Sequence, residues 1–237
     1  MALWQYLWAG SWITKWLYHL DGDAIDASGN GNNWTANNVT WVWGEIWSGA
    51  GSFNGTTSKI EITDHSSLKP TWNITISGII QVSPSASRRE IFQSYSQSWT
   101  VAWFQVMITQ SSWEWWNENK IRFVVWSNTW FSINTQYQQA FSLWIIADWI
   151  EHRFKCIYNW STIQVFVDGK WWNTANYSAW IWYKSTNYIR IWCSNRDATS
   201  DEFFSWIIDE VFLENRNWLQ SEIIKDYTFS KWRFAIL

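Results

Sequence analysis

Twenty-seven tryptophans stand against ten glycines in this 237-residue chain. Many of those tryptophans occupy places where the neighbouring residues spell a tight turn. Trp34 follows Ser28-Gly29-Asn30-Gly31-Asn32-Asn33, and Trp47 sits inside the turn-like stretch from Gly44 to Gly55. Trp160 separates Asn159 from Ser161 where two strand-like runs meet, and Trp171 and Trp172 follow the turn signal Asp168-Gly169-Lys170. Hairpin and bulge positions of this kind often need φ > 0, which glycine reaches freely and a bulky side chain reaches at a cost of about 1–2 kcal/mol. Ten such positions would cost roughly 10–20 kcal/mol, the whole stability of an ordinary domain. The distribution points to UGA codons, read here as tryptophan, that the source organism reads as glycine, as some uncultured bacterial lineages do. Average glycine usage would place roughly 17 glycines in a chain of this length, so the substitution also repairs the composition. The alternative is a genuinely tryptophan-rich chain, which must then explain why the excess falls in turns. Under the recoding reading, clustered tryptophans carry no information about sugar stacking or a membrane-interface belt.

The length suits one β-sandwich or barrel domain with a substantial core. A formal net charge of −3 and the lack of any basic run give no reason to expect a nucleic-acid partner or an anionic membrane surface. No membrane-inserting span is visible. The N-terminal stretch MALWQYLWAGSWITKW lacks the charged start and continuous apolar run of a secretory signal. Residues 1–15 read as a flexible lead-in or linker, 16–229 as the domain, and 230–237 as a C-terminal exit. Cys156 and Cys193 lie in separate strand-like segments; they either pair or stay as small buried hydrophobes, and the second is favoured.

Short alternating apolar and polar runs between Gly/Asn/Ser/Asp turns predict strands. The clearest are Lys59–Thr63, Asn73–Val82, Thr100–Ile108, Lys120–Val125, His152–Tyr158, Thr162–Asp168, Asn187–Cys193 and Ile207–Leu213. In Thr162–Asp168, for example, Ile163, Val165 and Val167 share one face. Strands of this number and spacing predict an all-β, antiparallel two-sheet sandwich of jelly-roll type. One short helix is expected at Leu219–Tyr227, where Leu219, Ile223 and Tyr227 fall at helical spacing.

Several segments, in order, resemble the laminin G-like jelly rolls of the concanavalin A-like lectin/glucanase superfamily, especially the bacterial concanavalin-like laminin G group. They are LYHLDGDAIDASGNGNN (17–33), GAGSFNGTTSKIEI (49–62), Ile74–Val82, YNWSTIQVFVDGK (158–170) and FFSWIIDEVFLENRNWLQSEIIKDY (203–227). Trp160 and Trp206 fall where that family has glycine, and Trp34, Trp47 and Trp192 look like family glycines too. The resemblance covers about residues 16–229, with a divergent middle at 84–150. It implies a module outside the cell, on a cell surface or on a virion surface.

Catalysis in this superfamily needs carboxylates two apart on one strand, so that one acts as nucleophile and the other as acid. Asp209-Glu210-Val211-Phe212-Leu213-Glu214 does not supply them: regular alternation puts Asp209 and Glu210 on opposite faces and Phe212 between Glu210 and Glu214. His19, His65 and His152 are scattered, without metal spacing. The chain is therefore read as no enzyme. The oxygen-rich loop from Asp21 to Asn30 suits Ca²⁺, which takes six to eight oxygen ligands. The resemblance implies a structural Ca²⁺ between this loop and the Asp209-Glu210 pair, with Asp21, Asp26, Asn30 and Asp209 as ligands; the bland reading makes the same residues turn formers. For sugar recognition the candidates outside the tryptophans are Tyr95, Gln97, Asn187, Tyr188, Asn195 and Arg196, each of which is equally an ordinary loop residue. The expected function is a non-catalytic extracellular binding module for glycan or a cell-surface protein. The alternative is a structural or adhesive domain of a phage tail-associated or cell-surface fibre.

Overall fold

The computed structural model describes residues 13–44, 49–62, 65–70, 72–85, 87–96, 104–109, 118–126, 137–178, 181, 183, 187–191 and 204–234. Two antiparallel sheets pack face to face. The first runs, in spatial order, β13 (Lys170–Asn176), β12 (Thr162–Val167), β11 (Glu151–Tyr158), β6 (Ile74–Gln81), β15 (Ser205–Glu214), β4 (Ala50–Asn54) and β3 (Thr40–Val42), with β1 (Thr14–Tyr18) also paired to β15. The second runs β10 (Tyr137–Phe141), β9 (Ile121–Trp126), β8 (Phe104–Ile108), β7 (Arg89–Ser96), β14 (Asn187–Ile191), β5 (Lys59–Ile62) and β2 (Thr35–Asn37). All eight strands expected from alternation are present within a few residues of their bounds.

Period-two alternation builds the core. On the second sheet Ile60 and Ile62, Phe104, Val106 and Ile108, and Ile121, Phe123 and Val125 face inward, against Ile74, Ile76, Ile80, Phe154, Cys156, Ile163 and Val165 of the first. The buried Cys156 is a free thiol, and burial pushes its pKa up, so it behaves as a small hydrophobe; Cys193 lies outside the described residues.

The helix, α1, spans Gln220–Phe234 and so is longer than expected, passing the domain end set at residue 229. No glycine or proline interrupts TFSKWRF, so nothing in the chain stops it at Tyr227. Glu222 accepts the N–H of Leu219 at 2.8 Å and caps its start. Under α1 lies a second small cluster of Ile157, Phe166, Trp218 and Ile223 on the outer face of the first sheet.

Among the described residues eight non-glycine positions have positive φ, and three are tryptophans: Trp149 (71°), Trp160 (72°) and Trp206 (112°). The last two are the positions where the resembling family carries glycine. Trp34, Trp171 and Trp172 do not share this geometry, and the latter two belong to β13, so the turn ends before them. Trp34 is crowded instead: its ring centroid stands 3.4 Å from that of Tyr18, closer than the usual range of about 4.5–7 Å for aromatic pairs. Trp47 and Trp192 lie outside the described residues.

Candidate functional site

β15 changes partner halfway along one edge. Ser205–Ile208 pair with β4, and Val211–Glu214 pair with β1. Asp209 and Glu210 fall between, where the ladder with β6 also breaks register between Asp209 and Phe212 and Glu210 turns to φ 50°. This bulge corrects the expectation of strict alternation at the Asp-Glu pair. Beyond it Glu214 accepts bonds from Trp218 Nε1 (2.5 Å) and the Thr14 hydroxyl (3.4 Å).

Glu210 faces His19, which follows β1. The imidazole Nδ1 stands 2.9 and 3.0 Å from the two carboxylate oxygens. Burial alone would lower the His19 pKa, but the bond and charge of Glu210, with Asp21 and Asp23 behind it, raise it. Asp209 lacks such a partner. It is 2 % exposed, and neither carboxylate oxygen meets the geometry of a hydrogen bond. Burial, with the charges of Glu210, Asp21 and Glu151, pushes its pKa up to about 8, opposed by the N–H of Glu210. Asp209 closes a pocket on the outer face of the first sheet, lined with Trp43, Gly44, Ile79, Gln81, Glu151 and Ile207.

Gly44 and Gly49 make room for this acid. A Cβ on Gly44 would stand 2.8 Å from Asp209 Oδ2 and 2.4 Å from the Gly49 carbonyl oxygen, so both oxygens converge on backbone that tolerates no side chain. A Cβ on Gly49 would meet the Asp21 backbone at 2.7 Å, and the Gly49 N–H lies near enough to oppose the rise that burial gives the Asp21 pKa. Asp21 and Asp209, two of the expected metal ligands, are thus brought to one place.

Asp26 and Asn30 are used differently. Asp26 Oδ1 accepts the N–H groups of Leu17 (3.1 Å) and Ser28 (2.9 Å), and Oδ2 accepts that of Asn32 (2.9 Å). Asn30 Nδ2 donates to the carbonyls of Thr14 (2.8 Å) and Lys15 (3.1 Å). Both brace the loop against β1, which is the turn-forming role. Among the described residues no three His, Cys, Asp or Glu side chains group as a metal set.

Three of the expected sugar-binding residues, Tyr95, Asn187 and Tyr188, lie on the other sheet. Tyr95 and Tyr188 are register partners across β7 and β14, and Asn187 pairs with Ser96 beside them. Gln97, Asn195 and Arg196 lie outside the described residues. The His19–Glu210 pair, Glu151 and the two glycines were not singled out from the sequence; His19, two residues before Asp21 in the opening motif, was the one available signal.

No protein-family model and no curated protein sequence matches the chain. Solved structures do. Domain 4 of AbnA, an extracellular arabinanase from Geobacillus stearothermophilus, in complex with arabinotriose, superposes with a TM-score of 0.69 at 14 % identity, over 90 % of this chain and 97 % of that one. The binding domain of paraclostridial mosquitocidal protein 1 gives 0.67 at 12 % over 91 % of this chain, and that of botulinum neurotoxin serotype D gives 0.66 at 12 % over 92 %. This chain spans about half of either toxin domain, 52 % in both cases. The architecture is an antiparallel β-sandwich of the kind found in carbohydrate- and receptor-binding domains. No helix among the described residues is long and apolar enough to cross a membrane.

Proposed function

We propose that this chain is a non-catalytic binding module of the concanavalin A-like, laminin G-like type, acting outside the cell on a glycan or a cell-surface partner. The observation that carries the reading is its likeness to AbnA domain 4 across 97 % of that module, a domain of the same extent in complex with arabinotriose. The carboxylates of β15 support the non-catalytic part. Glu210 is held by His19 and Glu214 by Thr14 and Trp218, so neither carboxylate stands free as a nucleophile beside Asp209.

A structural Ca²⁺ belongs to this reading, with a smaller protein donor set than the sequence suggested. Asp209 fits a cation, being a buried acid without a partner; Asp21 and the Gly49 carbonyl are the oxygens beside it. Asp26 does not fit, because both of its oxygens accept backbone N–H groups of the loop. A bound cation would neutralise the acidic cluster and fix the partner-switch of β15.

The glycine reading of Trp149, Trp160 and Trp206 also belongs here, supported by their positive φ. Sequencing the native gene and weighing native peptides at these positions tests it: UGG codons with tryptophan masses refute it. The binding function is tested by a glycan array with the intact chain, with and without Ca²⁺. Saturable binding is expected; no binding by a stably oligomeric chain would favour the fibre role instead.

A further inference from the structure

His152, near the start of β11, meets an acid at each ring nitrogen. Nδ1 stands 2.7 Å from Asp168 Oδ2, and Nε2 stands 3.1 Å from Asp148 Oδ1. A neutral imidazole has one N–H, so it satisfies one carboxylate and turns a lone pair on the other. Only the imidazolium form makes both bonds at once. Burial works against that charged form, and the two carboxylates outweigh it. Ile80 pairs with His152 from β6, while Glu151 and Arg153 project from the opposite face of its own strand. Lys170 opens β13 beyond Asp168, and Arg89 and Lys120 stand with Asn119 at the far end of the segment that carries Asp148.

The two acids are not held alike. Asp168, in the turn between β12 and β13, is also fixed to β11. Its Oδ1 accepts the Arg153 N–H at 3.0 Å, and its own N–H donates to the Arg153 carbonyl at 2.9 Å. Asp148 lies between β10 and β11 and is the more exposed of the two side chains, 38 % against 28 %. Its Oδ1 also accepts the Ile150 N–H at 2.9 Å, a bond within the same segment, so the bond to His152 is the one that reaches the sheet. Ile146 and Ala147 sit in the core, whereas Ile150 is exposed, so the end of the segment depends on polar ties. The others are the Trp149 N–H on the Val82 carbonyl at 3.1 Å and the Gln81 amide on the Trp149 carbonyl at 2.7 Å. Both use the backbone of residue 149, so they hold whether tryptophan or glycine stands there.

We infer that His152 is a pH-sensitive latch: the imidazolium holds the segment Asp148–Ile150 on the sheet, and loss of its Nε2 proton to water keeps Asp168 and releases Asp148. The segment is closed at acid pH and opens as pH rises through the ring's pKa. Asp148 is the acid let go because water reaches it and no second bond ties it to β11. Gln81, which holds the carbonyl of residue 149, and Glu151, which follows the segment, both line the pocket closed by Asp209. The latch therefore sits on one wall of that pocket. It does not depend on what the module binds.

The test is nuclear magnetic resonance of the intact chain between pH 5 and 9.5, following the His152 ring nitrogens and amide hydrogen exchange corrected for intrinsic rates. The comparison is with His152→Gln, which cannot take up the proton, and Asp148→Asn, whose amide can donate to a neutral Nε2. In the unaltered chain both ring nitrogens should be protonated at pH 5, and Nδ1 alone once the ring is neutral. Protection at Trp149 and Ile150 should then fall about tenfold or more, while the Arg153 amide, held by Asp168, keeps its own. Protection at Trp149 and Ile150 should not change with pH in His152→Gln, and in Asp148→Asn it should stay high throughout. A ring that keeps both protons to pH 9.5, or a neutral ring protonated on Nε2, overturns the latch. So does equal loss of protection at Arg153, or a fall with pH that persists in either variant.

Discussion

Trp206 and Trp149 meet edge to face with ring centroids 4.5 Å apart, and both stand at positive φ, 112° and 71°. The contact joins β15 to the loop before β11, but each partner holds a backbone conformation that favours glycine. The double substitution Trp149→Gly/Trp206→Gly should relieve about 2–4 kcal/mol of backbone strain and lose about 0.5–1.5 kcal/mol of ring contact. A net gain of about 1 kcal/mol or more is expected, read as a higher urea midpoint. A lower midpoint would count against the glycine reading at both positions.

Asp209 binds a proton in the folded state well above its ordinary value of 3.8, near pH 8. Its contribution to stability is therefore present below about pH 4 and lost as pH rises through 8. In metal-free buffer, Asp209→Asn should raise the melting temperature at pH 8 and flatten that decline. Added Ca²⁺ should stabilise the unaltered chain and leave the variant unmoved. Equal Ca²⁺ responses would remove Asp209 from the donor set.

His152 lies between two acids, with Nδ1 2.7 Å from Asp168 and Nε2 3.1 Å from Asp148. Burial lowers its pKa, but the bonds and charges of Asp168 and Asp148 outweigh that and raise it above 6.5. The stabilisation is complete below pH 6.5 and fades as pH rises through the raised value. Denaturant midpoints at pH 5.5 and 8.5 should differ less in His152→Gln than in the unaltered chain. An unchanged difference would show that the two carboxylates do not act on the imidazole.

Lys155 anchors α1. It is buried, with Nζ 3.5 Å from the Trp218 ring, 4.8 Å from that of Phe212 and 3.3 Å from Asp226 on the helix. Burial lowers its pKa, and Asp226 and Glu214 oppose that. Asp226→Asn removes the nearest counter-charge of a buried cation and should destabilise by about 1–3 kcal/mol. Lys155→Met leaves behind an acid that water reaches and should cost less. The reverse order in chemical denaturation would contradict this account.

Asp26→Ala strips the acceptor from three backbone N–H groups in a buried loop and should cost about 2–4 kcal/mol, irrespective of Ca²⁺. Loss of the Ca²⁺ response in the variant would instead favour a ligand role for Asp26.

Alternation alone was enough for the strongly patterned strands: in Thr162–Val167 and Lys59–Ile62 one face is continuously apolar, and burying that face leaves little freedom of register. Short or weakly alternating strands were not singled out. Thr35–Asn37 and Tyr137–Phe141 carry few apolar residues and exist because a partner strand lies beside them. Arg89–Ser96 buries Arg89, Glu90 and Gln93, residues that local propensity assigns to a surface. The turn chemistry of Asp21–Asn33 was legible because Asp and Asn act on their own backbone within a few residues. The isolation of Asp209 was not, since it depends on β1 and β4, distant in sequence from β15, meeting end to end along one edge of that strand. Nor was the double contact of His152, because Asp168 meets the imidazole only where β12 folds back on β11. Local hydrogen bonding and period-two burial are properties of the sequence; an unpartnered acid or a doubly bound imidazole is a property of what the fold places, or fails to place, beside it.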